Sequence, residues 1–155
     1  MAEPLDRLLA GVPFLEGLGD ERIALLAGCA RNVRFAEAQQ LFREGDVADT
    51  FYVVRHGTAA VETFVPARGA ITIETVGPGG VLGWSWLFAP YRWHFDARAV
   101  TLVRATAFDG ACLRAKCETD PELGYELMGR FAQVLIERLQ WTRLRLLDVY
   151  GDGDS

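Results

Sequence analysis

The segment Gly77–Ala99, GPGGVLGWSWLFAPYRWHFDARA, combines residue types that could hold a small anionic ligand. Three glycines, Gly79, Gly80 and Gly83, let a ligand approach the backbone closely because glycine has no side chain in the way. A predicted short helix follows, and the N–H groups and dipole at a helix start attract anions. Polar side chains that could anchor the ligand come next: Ser85, Arg92, His94 and Arg98.

The same segment is crowded with aromatic side chains, namely Trp84, Trp86, Phe88, Tyr91, Trp93 and Phe95. Aromatic side chains often line ligand pockets that contain a few polar anchors. One interpretation is therefore a pocket for a flat or weakly polar ligand, or for a nucleotide held by Arg92 and by stacking. The other is that the indoles fill the pocket and pack as core. The sequence leaves both open.

No catalytic motif accompanies this segment. The sequence contains no nucleophile elbow, no H-E-x-x-H helix and no phosphate-binding loop with its lysine, so we do not expect an enzyme. Cys29, Cys112 and Cys117 lack the spacing of a metal site. Their odd number, without a signal peptide, favours small core residues in a reducing cytoplasm.

Length and charge limit the remaining classes. A chain of 155 residues, half of them apolar, suits one domain with a full core. No apolar run approaches the roughly 20 residues of a membrane span. The net charge of −5 argues against a nucleic-acid surface, which is normally basic. We therefore expect neither nucleic acid nor membrane as a partner.

Hydrophobic spacing predicts the elements that position the segment. Helices are expected within residues 1–31, over 3–10 and from Gly19 or Asp20 to about Ala30. Alternation with a period of two then predicts a β-roll over 32–108. Helical spacing returns over 109–150, with Asp109 as a cap and Pro121 at a first helical position. The acidic tail, 151–155, is expected to be disordered.

The final helix, about 45 Å long at 1.5 Å per residue, carries a second apolar pattern. Leu123, Leu127 and Val134 can pack on the roll. Other residues recur at a mean spacing of about 3.5, as in a coiled coil: Met128, Phe131, Leu135, Leu139, Thr142, Leu146 and Val149. This seam predicts a homodimer through Met128–Val149.

Three local patterns resemble one known family. Leu9–Leu26 reads L-x-x-x-P-F-L-x-x-L-x-x-x-x-I-x-x-L, and Phe42–Gly57 reads F-R-E-G-D-x-A-D-T-F-Y-V-V-x-x-G. Gly79–Phe88, GGVLGWSWLF, is similar to a phosphate-binding cassette; we call this segment the cassette. The chain resembles the cyclic-nucleotide-binding domain of the catabolite activator protein family. The fold class implied is α+β: an antiparallel β-roll or jelly-roll barrel with N-terminal helices, a short cassette helix and a long C-terminal helix.

Two departures from the family pattern affect the pocket. The resemblance implies a glutamate after the cassette glycine, accepting from the ribose hydroxyl, but Trp84 stands there. It also implies an arginine and a small hydroxyl residue for the cyclic phosphate, and aligning Ala97–Ala99 puts Trp93 and His94 at those positions. A one-residue shift would bring Arg92 instead. Each lost charge-assisted contact costs about 1.5–3 kcal/mol, so ordinary cyclic AMP binding is not expected.

The predicted function is a cytoplasmic regulatory sensor of a small ligand, signalling through its final helix. No cofactor is certain; a cyclic nucleotide or another small ligand is the candidate. The candidate binding residues are Gly80, Gly83, Trp84, Ser85, Arg92, Trp93 and His94. The alternative is a ligand-free interaction or dimerisation module with the pocket filled by tryptophans. The family's transcription factors continue into a helix-turn-helix, so we do not expect this chain to read DNA.

Overall fold

A computed structural model describes residues 9, 11–83, 85–87 and 89–153. Its helices are α1 (Asp20–Ala27), α2 (Gly110–Thr119) and α3 (Pro121–Gly153), with 3₁₀ helices at Pro13–Leu15 and Ser85–Leu87. Its strands are β1 (Ala30–Phe35), β2 (Gln40–Phe42), β3 (Thr50–His56), β4 (Ala59–Val65), β5 (Gly69–Val76), β6 (Val81–Leu82), β7 (Asp96–Ala99) and β8 (Val103–Asp109). The predicted helix over 3–10 lies outside the described residues except for Leu9.

The strands form two antiparallel four-stranded sheets. The first has the order β1-β8-β3-β6 and the second has the order β2-β7-β4-β5. Their inner faces bury one apolar cluster that includes Tyr52, Val54 and Leu82. The other face of the first sheet packs against the helices through a second cluster. The predicted α+β roll is confirmed.

Turn and cap residues define the ends of several elements. Gly57 joins β3 to β4 with φ +86°, and a Cβ there would lie 2.0 Å from the Leu102 carbonyl oxygen, so only glycine fits. The Asp109 side chain accepts a hydrogen bond from the Ala111 N–H and caps α2. Pro121 begins α3. That helix continues to Gly153, so residues 151–153 are helical, contrary to the predicted disordered tail.

The cysteines differ from the expectation. Cys29 and Cys112 form a disulfide, with their Cα atoms 5.7 Å apart, and only Cys117 is a free thiol within the described residues. The expectation of three reduced core cysteines is therefore wrong. The bonded pair is separated by 83 residues, and spacing along the sequence does not reveal a contact over that distance. The bond removes the cysteine argument for a reducing compartment, so a cytoplasmic location stays a prediction. Separately, no helix of the described part is long and apolar enough to cross a membrane.

Candidate functional site

The cassette glycine Gly83 is covered by the indole of Trp93. Gly83 follows β6 with φ +92°, and a Cβ there would lie 2.6 Å from Trp93 Cη2. The indole also stacks on Phe42, with ring centroids 3.8 Å apart and planes 13° from parallel. Trp93 is only 6% exposed. The position where the resemblance implies a phosphate-binding arginine therefore holds a buried, uncharged ring against the glycine.

Little space remains beside that ring. The cavity between the sheets has a volume of about 20 Å³ and is lined by Phe42, Val61, Leu82, Gly83, Ser85, Trp93, His94, Phe95 and Arg138. One water needs about 10–15 Å³ measured in this way, whereas small-molecule sites are typically about 300–1,000 Å³. In this conformation the cavity has room for about one water molecule and is too small for a nucleotide.

Four of the predicted binding residues lie together at this cavity: Gly83, Ser85, Trp93 and His94. Ser85 is buried, whereas His94 is exposed at the rim. Gly80 lies elsewhere, because its carbonyl accepts from the Val54 N–H at 2.9 Å and it faces a groove beside α3. Trp84 lies outside the described residues.

Arg92 does not point into the cavity. Its side chain is exposed, and its Nη1 donates to the Gly45 carbonyl across 3.3 Å. Its backbone forms an antiparallel bridge with Val47 that directs the side chain toward that turn. The structure therefore does not bring Arg92 to the cavity, and its role as a ligand anchor stays a prediction.

Trp86, in the 3₁₀ helix of the cassette, belongs to the core between the sheet and the helices. Trp86 is fully buried, with ring centroids 5.5 Å from Phe51 and 5.7 Å from Phe131 on α3. Its carbonyl accepts from Arg114 on α2, whose guanidinium also lies 4.5 Å from the Tyr91 ring centroid. The cassette is thus tied to both C-terminal helices, and sequence reasoning missed the contribution of Arg114.

A largely buried ion pair joins the long helix to the roll. Arg138 on α3 places Nε 2.8 Å from the Glu74 Oε1 on β5, and its Nη2 also donates to the Val81 carbonyl. Burial raises the pKa of the Glu74 carboxyl, and the charge of Arg138 opposes that shift. Burial lowers the pKa of Arg138, and the charges of Glu74 and Glu137 oppose it. Sequence reasoning missed this pair because its partners are far apart in the chain.

The remaining candidate anchor, Arg98, is engaged within the second sheet. Its Nε and Nη2 donate to the two carboxylate oxygens of Glu62 at 3.1 and 3.2 Å. That hydrogen bonding, with the charge of Glu62, raises the pKa of Arg98. Asp96, two residues earlier on β7, instead accepts a hydrogen bond at its Oδ1 from the Glu44 N–H across 2.7 Å.

A family model for the cyclic nucleotide-binding domain matches residues 32–120, more than half of the chain. The chain belongs to the cyclic nucleotide-binding domain family. The resemblance found in the sequence is therefore confirmed, and every residue that lines the cavity beside Gly83 except Arg138 lies within the matched range.

Three relatives illustrate the likeness. The CRP-like cAMP-activated global transcriptional regulator of Mycobacterium tuberculosis is 27% identical over 145 residues, which are 94% of this chain and 63% of the relative. This chain thus spans less than two thirds of that relative. A solved protein from Geobacter metallireducens GS-15 is 29% identical, with a TM-score of 0.78 over 90% of this chain and 99% of that one. The regulatory subunit of a cAMP-independent protein kinase A from Trypanosoma brucei is 20% identical and shares the fold, with a TM-score of 0.67 over 82% of this chain and 45% of that one.

Proposed function

We propose that this chain is a regulatory domain whose nucleotide pocket is closed by its own Trp93 and which acts through α3 as a dimer. The observation that carries the proposal is the indole on Gly83, with about 20 Å³ left beside it. Because the ring is buried and stacked on Phe42, a ligand would have to displace packed core to enter.

The chemistry of the pocket supports the same proposal. The resemblance implies a guanidinium at position 93 and a carboxylate at position 84, and this chain has tryptophan at both. An indole has one N–H donor and no charge, so it cannot form the paired, charge-assisted hydrogen bonds by which arginine binds phosphate. Arginines near the cassette are engaged with protein groups: Arg92 with Gly45, Arg98 with Glu62, Arg114 with Trp86 and Arg138 with Glu74.

Known relatives are compatible both with a domain that binds a cyclic nucleotide and with one that does not. One relative is named as cAMP-activated and another as cAMP-independent. The fold alone therefore does not require a bound nucleotide, and the residues of the pocket must decide.

The exposed face of α3 supports a dimer as the output. Leu123, Leu127 and Phe131 are buried against the body of the domain. Two interleaved seven-residue repeats remain on the solvent side and follow the 3-4 spacing of a coiled coil: Tyr125, Met128, Ala132, Leu135, Leu139 and Thr142. We call this set the α3 seam. It contains Ala132 in place of the predicted Phe131, and positions 146 and 149 would continue it beyond the described side chains.

A second candidate function is a sensor whose ligand displaces Trp93. The observation that favours it is the convergence of Ser85, His94 and Arg138 at the cavity. Such a ligand would meet a hydroxyl, an imidazole and a guanidinium beside an aromatic wall, which is the usual composition of a small-molecule site.

Calorimetric titration with cyclic AMP, cyclic GMP and cyclic dinucleotides separates the two candidates. We expect no binding heat from the wild type and no nucleotide carried through purification, as measured by mass spectrometry. The double variant Trp84→Glu/Trp93→Arg restores both implied side chains and is expected to gain cyclic AMP binding. The matched control Trp84→Glu/Trp93→Ala opens the cavity without a guanidinium and is expected to bind at least about tenfold more weakly.

Binding of any of these nucleotides by the wild type would overturn the closed pocket and favour the sensor. The wild-type titration does not depend on whether the double variant folds. A double variant that melts cooperatively yet binds no better than the control would show that Trp93 does not stand in the phosphate position.

A further inference from the structure

The outer face of the first sheet ends in a row of arginines on neighbouring strands. Arg34 on β1 lies directly opposite Arg104 on β8, and Arg104 lies opposite His56 on β3. Arg55 comes one residue before His56, and its Nη1 donates to Asn32 Oδ1 across 2.9 Å. All of these side chains are exposed. We call Arg34, Arg55 and Arg104 the basic row.

No carboxylate of the described residues forms an ion pair with the basic row. The ion pairs of the described chain use other arginines instead: Arg22, Arg98, Arg130 and Arg138. Because the whole chain carries a net charge of −5, an unpaired cluster of three guanidinium groups is a local reversal of its overall charge.

Folding does not account for this arrangement. Arg34 and Arg104 lie directly opposite each other on antiparallel strands. Like charges in that arrangement destabilise the pairing of the strands. Charges on an edge strand can prevent aggregation, and β1 is an edge strand, so Arg34 alone could serve that purpose. Arg104 and Arg55 lie on β8 and β3, which are interior strands of the sheet, and edge protection does not explain them.

The surroundings indicate what would pair with the row. An exposed sheet face suits a macromolecular surface, whereas small ions and metabolites are usually bound in concave sites. A nucleic acid would need a larger basic footprint than three arginines on a chain of net charge −5. Guanidinium groups pair well with carboxylates, in one or two hydrogen bonds each. We propose that the basic row is a docking surface for an acidic segment of a partner protein.

Fluorescence anisotropy with a labelled peptide of alternating glutamate and serine tests the proposal. At 50 mM salt we expect saturable binding by the wild type, and no binding of the matched glutamine peptide. Raising the salt to 300 mM should weaken binding severalfold, because exposed charges are screened at that concentration.

Matched arginine variants locate the site. Arg34→Gln/Arg104→Gln should weaken binding roughly tenfold, because two guanidinium contacts are lost. Arg43→Gln/Arg68→Gln removes the same charge from exposed positions elsewhere and should leave binding within about twofold if only long-range charge changes. The melting temperature of the first variant should equal or exceed that of the wild type, since a like-charge pair is removed.

No saturable binding by the wild type at low salt would overturn the proposal, and so would any of three other results. The first is equal weakening of peptide binding in both arginine variants. The second is displacement of the peptide by inorganic phosphate at low millimolar concentration, which would assign the row to a small anion. The third is a 20-base-pair duplex that binds more tightly than the peptide, which would assign it to nucleic acid.

Discussion

At the scale of single residues, the Arg138–Glu74 pair gives the sharpest prediction. Both side chains are about one-sixth exposed, at 17% and 16%. Arg138→Met leaves the Glu74 carboxylate buried without its counter-charge, which we expect to cost about 3 kcal/mol of unfolding free energy at pH 7. Chemical denaturation at a series of pH values measures it.

The pH dependence of that variant follows from the sign of the shift. Burial already raises the pKa of Glu74, and losing Arg138 removes the interaction that opposes the shift. A carboxyl with a raised folded pKa favours the folded state at low pH, and that contribution is lost as the pH rises through the folded pKa. The loss of unfolding free energy relative to the wild type should therefore be largest near pH 7. It should shrink as the pH falls toward the ordinary pKa of glutamate. The double variant Glu74→Gln/Arg138→Met should recover most of the unfolding free energy lost at pH 7. A loss in Arg138→Met that does not change with pH would contradict this account.

Sequence reasoning succeeded for residues fixed by a motif and failed for residues fixed by a loop. The family pattern put Trp93 at the position of the phosphate-binding arginine, and the structure places its indole on Gly83. The same pattern could not say where Arg92 points, because the loop before it contains Tyr91 at φ +55° and the bridge to Val47 redirects the side chain. The partners of Arg98 and Arg138 come from strands distant in sequence, and no local spacing encodes them.

At the scale of elements, Phe131 decides which face of α3 packs on the domain. It is 1% exposed, and its ring centroid lies 4.9 Å from that of Phe14 and 5.1 Å from that of Phe51. Phe131→Ala should therefore cost about 3–5 kcal/mol of unfolding free energy. Thermal denaturation should show a fall of about 10 °C in the melting temperature of a chain of this size.

The control for that experiment is an exposed apolar residue on the same helix. Ile136 is about half exposed, so Ile136→Ala should cost less than about 1 kcal/mol. If Phe131→Ala left the melting temperature near that of the wild type and weakened self-association instead, Phe131 would belong to the dimer seam, as the sequence predicts.

Most elements were predictable because their hydrophobic period changes at their boundaries. The switch from a period of two to a period near 3.6 after Phe108 separates the roll from α2 and α3. The sequence predicts less well which residues of α3 form the exposed seam. The mean spacing of the apolar residues puts Phe131 in the seam, whereas strict seven-residue spacing puts the smaller Ala132 there. Packing against Trp86 and Phe51, which only the tertiary structure brings near, holds Phe131 on the core side.

At the scale of the whole molecule, the α3 seam predicts how two copies associate. Leu139 is 70% exposed, and Met128 and Tyr125 are also exposed. A long helix with a second apolar stripe at 3-4 spacing can bury that stripe by pairing with the same helix of a second copy. We therefore expect the wild type to sediment as a dimer at tens of micromolar protein, an order of magnitude typical of moderate interfaces.

Leu139→Glu should convert that dimer to monomer, because two like charges would face each other in a desolvated seam. Leu144→Glu is the matched control: Leu144 is also exposed, at 54%, but lies off the seven-residue spacing, so the dimer should persist. Since both side chains lie on the exposed side of α3, both variants should still unfold cooperatively. Loss of the dimer in both variants would place the interface on another face of the helix. A wild type that stays monomeric at high concentration would remove the dimer from the proposed function, while the closure of the pocket by Trp93 would still be tested separately by nucleotide titration.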